Sequence, residues 1–353
     1  MRSSDRMRGA EWLTVIASLG VLLLGTAGCR EVGASSLVGS APVVSASEDD
    51  LRRFAFDYEV ELAAPDSAPG SMHVFIPIAG DTTGQRVLDL RIDAPVKGRI
   101  ETDSVYGNRF WGARIPPGAG PVTIRVAYQI ERRVVRAGDE RGEASSVHRF
   151  LAANERVVVD HPVLAPILGE IREASPGATP AERARAIYDW VVDNIEYKKV
   201  GSGWGHGDTF WACSERYGNC TDFHSLFISL ARSEGIPARF EIGFPVPSDR
   251  EVGEVSGYHC WVEFWLPETG WFPVDASEAF KHPEHRELFY GTHPADRLHM
   301  TTGRDLQLGA DHRDHPLNYF VYPYVEIDGK RSESGIRTRF RYRDLPDPPA
   351  SAG

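Results

Sequence analysis

Cys220, His259 and Asp275 supply, in that order along the chain, a thiol, an imidazole and a carboxylate. These are the groups that nucleophilic acyl chemistry requires. A thiolate attacks a carbonyl carbon. An imidazole shares the thiol's proton and later delivers it to the leaving amine, and a carboxylate fixes the imidazole tautomer and stabilises its charged form. Taken singly, each residue has a plainer reading: a packed core cysteine, a buried core histidine and a strand-ending turn former. What decides is whether the chain brings the three together.

Cys220 follows Gly218-Asn219 and opens an amphipathic helix. Phe223, Leu226, Phe227, Leu230 and Ala231 fall on one 3.6-residue stripe. Gly235 is placed to cap that helix and Pro237 blocks its continuation. A thiol in the first turn lies among unpaired backbone N–H groups at the positive end of the helix dipole, so its pKa should fall. The Cys220 N–H is then a candidate oxyanion donor, joined by a side chain drawn from Trp204, Trp211 or Asn219.

His259 and Asp275 sit on a predicted hairpin. Residues 258–266 alternate, with Tyr258, Cys260, Val262, Phe264 and Leu266 on one face and His259, Trp261, Glu263 and Trp265 on the other. A turn at Pro267-Glu268-Thr269-Gly270 leads into a partner strand over 271–275. If Leu266 pairs with Trp271, Asp275 faces away from His259. If Trp265 pairs with Trp271, Asp275 lies diagonal to His259 on the same face, about 7–8 Å away and within side-chain reach. A competent site therefore needs the second register, with a five-residue loop over 266–270.

The rest of the chain has to hold these elements. At 353 residues there is room for two or three domains. The composition is that of a globular protein, and a net charge of −11 argues against nucleic acid as a partner. Residues 1–28 read as a secretory signal peptide: Arg2, Arg6 and Arg8 precede an apolar run over 12–25 that is short for a membrane span. It ends at Gly25-Thr26-Ala27-Gly28-Cys29, similar to a bacterial lipobox with Thr26 in the usual aliphatic place, so Cys29 is the expected lipidation site and membrane anchor. Simple secretion and an uncleaved anchor are the alternatives. Residues 29–50 are small and polar, a flexible tether.

Residues 51–136 alternate at period 2 without a helical segment, predicting a small antiparallel β-sandwich-like domain that packs or positions substrate. The core over 150–280 opens with a capping box, Thr179-Pro180-Ala181-Glu182, and a helix over about 180–196 with Ile187, Trp190, Val191, Asn194 and Ile195 on one face. The glycine-rich loop 201–207 lacks the Lys-Ser/Thr of a phosphate loop, which excludes a nucleotide site of that kind. Asp208 caps a short helix over Thr209–Glu215, and a strand follows over 238–244. Residues 281–343 form a C-terminal β-rich extension whose last strand, 336–343, carries four arginines and reads as an exposed or edge strand. Residues 344–353 are an expected disordered tail.

With Cys29 lipidated, Cys213, Cys220 and Cys260 are an odd set, which leaves at least one thiol unpaired. A Cys213–Cys260 disulfide and three reduced thiols both satisfy this. Zinc on Cys213, Cys220, His224, His259 and Cys260 would need an unusual ligand spacing and would consume the nucleophile. The six histidines within 282–315 are interrupted by Pro, Gly and charge and read as solvated loop residues. No metal or cofactor is expected, and there is no EF-hand calcium loop.

Four linked motifs resemble the transglutaminase-like superfamily. They are Gly218-Asn219-Cys220 with Asp222; Gly235-Ile236-Pro237-Ala238-Arg239; His259-Cys260-Trp261-Val262-Glu263; and Gly270-Trp271-Phe272-Pro273-Val274-Asp275-Ala276-Ser277. The resemblance covers about residues 155–280. It implies an α+β, papain-like core with Cys220, His259 and Asp275 as the catalytic triad. Pro77, Gln85, Gly303-Arg304-Asp305 and Asn318-Tyr319-Phe320 more loosely resemble flanking segments of bacterial lipoprotein-type members. The family spans protein cross-linking, peptide hydrolysis and deamidation, and includes members that have lost the triad. The expectation is an exported, envelope-located cysteine enzyme that acts on a protein or peptide substrate through a thioester, by hydrolysis rather than cross-linking. The alternative is an inactive papain-fold module that binds envelope protein or peptidoglycan. Cys260, directly after the histidine, departs from the family pattern and is either structural or able to regulate Cys220 by oxidation.

Overall fold

A computed structural model describes residues 51–63 and 72–346. The expected signal peptide 1–28, lipidation site Cys29, tether 29–50 and residues 347–353 lie outside them. The first described strand, Leu51–Leu62, buries every second side chain from Phe54 to Val60, as period-2 alternation dictates. It is central to a five-stranded antiparallel sheet ordered Val252–Val255, Ile336–Asp344, Leu51–Leu62, Val122–Arg133 and Gln85–Asp93. A second five-stranded sheet runs Lys330–Arg331, Tyr324–Ile327, Met72–Ile78, Arg109–Ile115 and Gly98–Thr102. Phe54, Phe56 and Tyr58 of the first sheet and Val74, Ile76 and Ile78 of the second share one apolar core.

Residues 324–344, placed by sequence in a C-terminal extension, thus supply strands to both sheets. Two expectations need correction. Ile336–Asp344 is no edge strand along its whole length. Leu51–Leu62 flanks it on one side, and Val252–Val255, a short charged strand hidden in the polar 245–258 loop, pairs on the other. Two of its arginines, Arg339 and Arg341, reach Glu59 on the neighbouring strand. The tail also starts later than 344: Asp344 accepts from Arg52 Nε at 3.0 Å, and Leu345 N donates to Arg53 O at 2.8 Å.

The remaining sheet has four antiparallel strands in the order Gly270–Val274, His259–Leu266, Ala238–Pro245 and Arg297–Thr302. Its hairpin pairs Trp265 with Trp271 and Leu266 with Gly270, the register that a competent site requires. Gly270 makes the loop possible. Its φ is +95°, and a Cβ there would lie 2.4 Å from Glu140 O.

Helix Pro180–Asn194 has its capping box, with Glu182 N donating to Thr179 Oγ1 and Thr179 N to Glu182 Oε2. Its buried face runs through Ala184, Ile187, Tyr188 and Val191, and Asn194 is exposed. Trp190 instead stacks under the Arg216 guanidinium, 4.5 Å from the ring centre. Helix Cys220–Ser233 is buried from Cys220 through Arg232, not along one stripe. Phe227 packs on Phe264 of the sheet, and the polar positions find internal partners, such as Ser229 with the Thr209 hydroxyl at 2.7 Å. Gly235, at φ +74°, ends it, with Ile236 N donating back to Ala231 O at 2.9 Å.

Three of the six histidines within 282–315 are not solvated loop residues. His299 lies in a strand and bonds Glu241 at 2.6 Å. His312 Nδ1 accepts from Leu308 N, and the fully buried His293 packs against Trp261. In each case a neighbouring strand covers a segment whose own composition is polar.

Candidate active site

Cys220 is the first residue of its helix. Asn219 caps it, accepting from Thr221 N at 2.9 Å through its side chain, while Asp222 accepts from Asn219 N at 2.9 Å. Asp222 also accepts from Gly205 N at 2.7 Å and Gly207 N at 3.0 Å, so the glycine-rich loop folds over the helix start. Gly207 is obligatory there: at φ +58°, a Cβ would lie 2.4 Å from Ser225 Oγ. Arg304, 1% exposed, clamps the assembly by bonding Ser225 Oγ, His206 O and Asn318 Oδ1. Gln85 pins the backbone of His299 through both ends of its amide. Residues of the looser motifs therefore brace the elements around the site.

His259 opens its strand, and Asp275 follows the partner strand. His259 Nε2 lies 2.7 Å from Asp275 Oδ2, which leaves Nδ1 as the ring nitrogen available to Cys220. The thiol is within hydrogen-bond reach of both the His259 imidazole and the Cys260 thiol. Asp275 is fully buried and does several jobs at once. Its Oδ1 accepts from Ser277 Oγ and Glu278 N, both at 3.1 Å, capping helix Ala276–Lys281. His224 Nε2 approaches the same oxygen at 3.4 Å, and Arg297 Nη1 lies 3.3 Å from Oδ2. His224 also turns Nδ1 toward Cys260 Sγ at 3.4 Å.

The electrostatics follow from this packing. Burial alone would raise the Cys220 pKa, but hydrogen bonds from Cys260 and His259 and the imidazole charges hold it well below the ordinary thiol value. Burial works against the His259 cation, yet Asp275 and Cys220 push its pKa up to about 10. Asp275 opposes burial through His259 and His224 and stays well below the carboxylate range. Burial and its hydrogen bond to Cys220 push Cys260 well above the thiol value, so it remains a proton donor. These shifts favour a thiolate–imidazolium pair backed by a carboxylate, the arrangement that nucleophilic acyl chemistry without an external base requires.

The three oxyanion candidates are already engaged. Trp204 Nε1 donates to Gly201 O at 3.0 Å, Trp211 Nε1 to Tyr217 O at 2.9 Å, and Asn219 Nδ2 to the Tyr258 hydroxyl at 2.9 Å. Tyr258 was missed at the sequence level because alternation puts it on the strand face opposite His259. Its hydroxyl reaches Thr221 Oγ1 at 2.8 Å, and its pKa is raised by burial and then by the Cys220 charge. His224, four residues after Cys220 on the helix, carried a readable signal in that spacing. Cys213, Cys220 and Cys260 are free thiols. Among the described residues, no cluster of His, Cys, Asp and Glu is placed to hold a metal ion, and no helix is long and apolar enough to cross a membrane.

These charges predict how the thiols react. Cys213 is pushed up to about 11 by burial, so roughly one part in ten thousand is thiolate at pH 7. Iodoacetamide should label Cys220 roughly 100-fold faster than Cys213 at pH 7. The Cys220 rate should change much less with pH around neutrality than that of Cys213, which rises about tenfold per unit below its raised pKa. Cys260→Ala removes a donor and should move the onset for Cys220 to higher pH. Peptide mass spectrometry of each site over time reads all three outcomes, and equal rates at pH 7 would refute the thiolate.

Residues 171–276 match the Transglutaminase-like superfamily, so this part of the chain is a transglutaminase-like core. An uncharacterized protein of Haemophilus influenzae is 24% identical over 339 residues, spanning 83% of this chain and 90% of its own length. A protein-glutamine gamma-glutamyltransferase of Pseudomonas aeruginosa is 29% identical over 118 residues, 31% of this chain and 16% of that protein. A solved structure from Cytophaga hutchinsonii, of a protein named only provisionally as a cysteine protease, superposes with a TM-score of 0.55 at 17% identity. It covers 85% of this chain and 92% of that one, and shows the shared fold.

Proposed function

From a transglutaminase-like core that sets a thiol against an imidazole and a buried carboxylate, we propose a cysteine enzyme that opens amide bonds through a thioester. The single observation that carries this reading is the His259–Asp275 contact of 2.7 Å beside a Cys220 whose pKa is lowered. Cys220 Sγ adds to the amide carbonyl carbon, and the developing oxyanion is met by the Cys220 N–H at the helix start. The imidazolium of His259 gives its proton to the leaving nitrogen as the C–N bond breaks, leaving a thioester and a free amine. Water then attacks the thioester, with neutral His259 taking its proton. This releases the carboxylic acid and restores the thiolate–imidazolium pair. Asp275 holds the imidazole orientation throughout.

Water is proposed as the acceptor, which makes hydrolysis the leading reading and amine transfer its competitor. The Pseudomonas relative's name describes gamma-glutamyl transfer rather than hydrolysis, so the two fates must be compared directly. Incubation with a casein-type substrate and a labelled primary amine should give cleavage or deamidation exceeding amine incorporation. Incorporation as the dominant product would make the protein a transferase. The substrate is proposed to be a protein or peptide of the cell envelope. That location rests on the sequence of residues 1–29, with lipid on Cys29 as the membrane attachment.

A further inference from the structure

Arg132, near the end of strand Val122–Arg133, is 3% exposed, and its buried Nε has no hydrogen-bond partner among the described residues. Burial, and then repulsion from Arg297, lower its pKa to about 10 against the attraction of Glu263, Asp296 and Glu241, which leaves it charged at neutral pH. A buried guanidinium N–H that makes no hydrogen bond is costly.

Arg132 lines a cavity of about 290 Å³, together with Thr83, Trp261, Glu241, Glu263 and His299. The cavity lies between the first sheet and the His259 face of the four-stranded sheet. Glu241 pairs across the strands with Trp261, and Trp261 and Glu263 share the alternation of His259. The Trp261 indole is both part of the wall and a neighbour of the catalytic imidazole, at 6.1 Å between ring centres.

The three glutamates of the wall are paired, and Asp81, also in the wall, accepts the Val87 N–H at 2.8 Å. Arg239, stacked 4.0 Å over Trp271, pairs with Glu140, Glu241 and Glu263. Glu241 Oε2 also takes hydrogen bonds from His299 and Thr302, both at 2.6 Å, and Glu140 takes one from Thr83 at 2.9 Å. The Arg132 fork has acidic charge nearby, but its Nε makes no direct hydrogen bond to it. A guanidinium fork pairs best with a planar carboxylate. The three glutamates disfavour a dianion such as phosphate, and the volume suits about one amino-acid residue.

We propose that this cavity binds the free carboxylate of an amino-acid-sized group, with Arg132 as its counter-ion. The carboxylate belongs either to a free amino acid or to the last residue of a peptide. Catalysis is not required for this inference, which stands even if Cys220 proves inert.

Calorimetric titration of the full chain carrying Cys220→Ala, so that nothing is turned over, tests it. The probes are L-alanine, the dipeptide Ala-Ala, its C-terminal amide and inorganic phosphate. At least one of the two free acids should bind, and the amide and phosphate roughly tenfold or more weaker. Alanine against dialanine then tells a free amino acid from a chain end. Adding Arg132→Met should abolish the acid's advantage over the amide and raise the melting temperature, because a structural arginine would lower it on removal. Equal binding of acid and amide, no binding of either acid up to about 10 mM, or unchanged acid binding in Arg132→Met overturns the proposal. Should Arg132→Met not fold, the acid-against-amide comparison decides alone.

Discussion

Cys220→Ala should lower amide-bond turnover by a factor of at least about 10⁵, because removing the nucleophile of a cooperating triad costs nearly as much as removing the whole triad. The fold should survive. Cys220 is 2% exposed, and its loss removes one partner of the His259 imidazolium, but the Asp275 partnership of His259 remains. The melting temperature should therefore be unchanged or modestly lower, and the thioester seen by mass spectrometry of the native protein should be absent. A folded alanine variant with native turnover would eliminate the catalytic reading and leave a binding module. In the native enzyme the alkaline limb should fall near pH 10. The imidazolium is the proton donor, and it is lost as pH rises through its raised pKa. The same sign governs stability: the His259 charge stabilises the fold fully below about pH 6.5 and ceases to above about pH 10.

Asp275→Asn should cost about 10³–10⁴ in kcat/KM, the size expected when a neutral amide holds the imidazole in the wrong tautomer. Here the loss extends beyond tautomer. Asp275 is the anion against His259, His224 and the buried Arg297. Removing its charge leaves cations uncompensated in the interior, and the fold should lose about 3–5 kcal/mol. Asparagine can still accept from Ser277 and Glu278, so the helix cap persists. Asp275→Ala should lose about 1 kcal/mol more. Denaturant midpoints measure the stability difference. The onset of Cys220 alkylation should shift upward in the same variant, since the imidazolium that lowers the thiol pKa is itself sustained by Asp275. An asparagine variant with native stability and native alkylation would show that Asp275 is only a turn former.

The parts of this site that were legible in the sequence are those governed by local rules. The Cys220 helix start follows from a cap and a 3.6 period. The hairpin itself was legible but its register was not: the sequence left two pairings open, and a slip of one would turn Asp275 away from His259. Tyr258 was not legible, because strand alternation assigns side chains to faces but says nothing of a residue at the strand mouth, where both faces meet the helix end. The buried roles of His293, His299 and His312 were hidden for a related reason. Burial there comes from strands distant in sequence, and a polar local composition carries no trace of its cover. The same holds for Ile336–Asp344, whose neighbour Val252–Val255 is four residues long and charged.

The union of the first described strand with the last has a consequence for how the molecule is made. Leu51–Leu62 cannot complete its ladder until Ile336–Asp344 exists, 274 residues after Leu62 at the near pairing with Ile336. A chain emerging from its N-terminus must therefore carry an incomplete sheet edge through synthesis. Closure of so long a loop costs entropy before any contact repays it, which makes the last step slow and exposes the edge to off-pathway pairing. Shortening the chain by its final strand removes the partner of the first one, and the defect reaches the opposite end of the polypeptide.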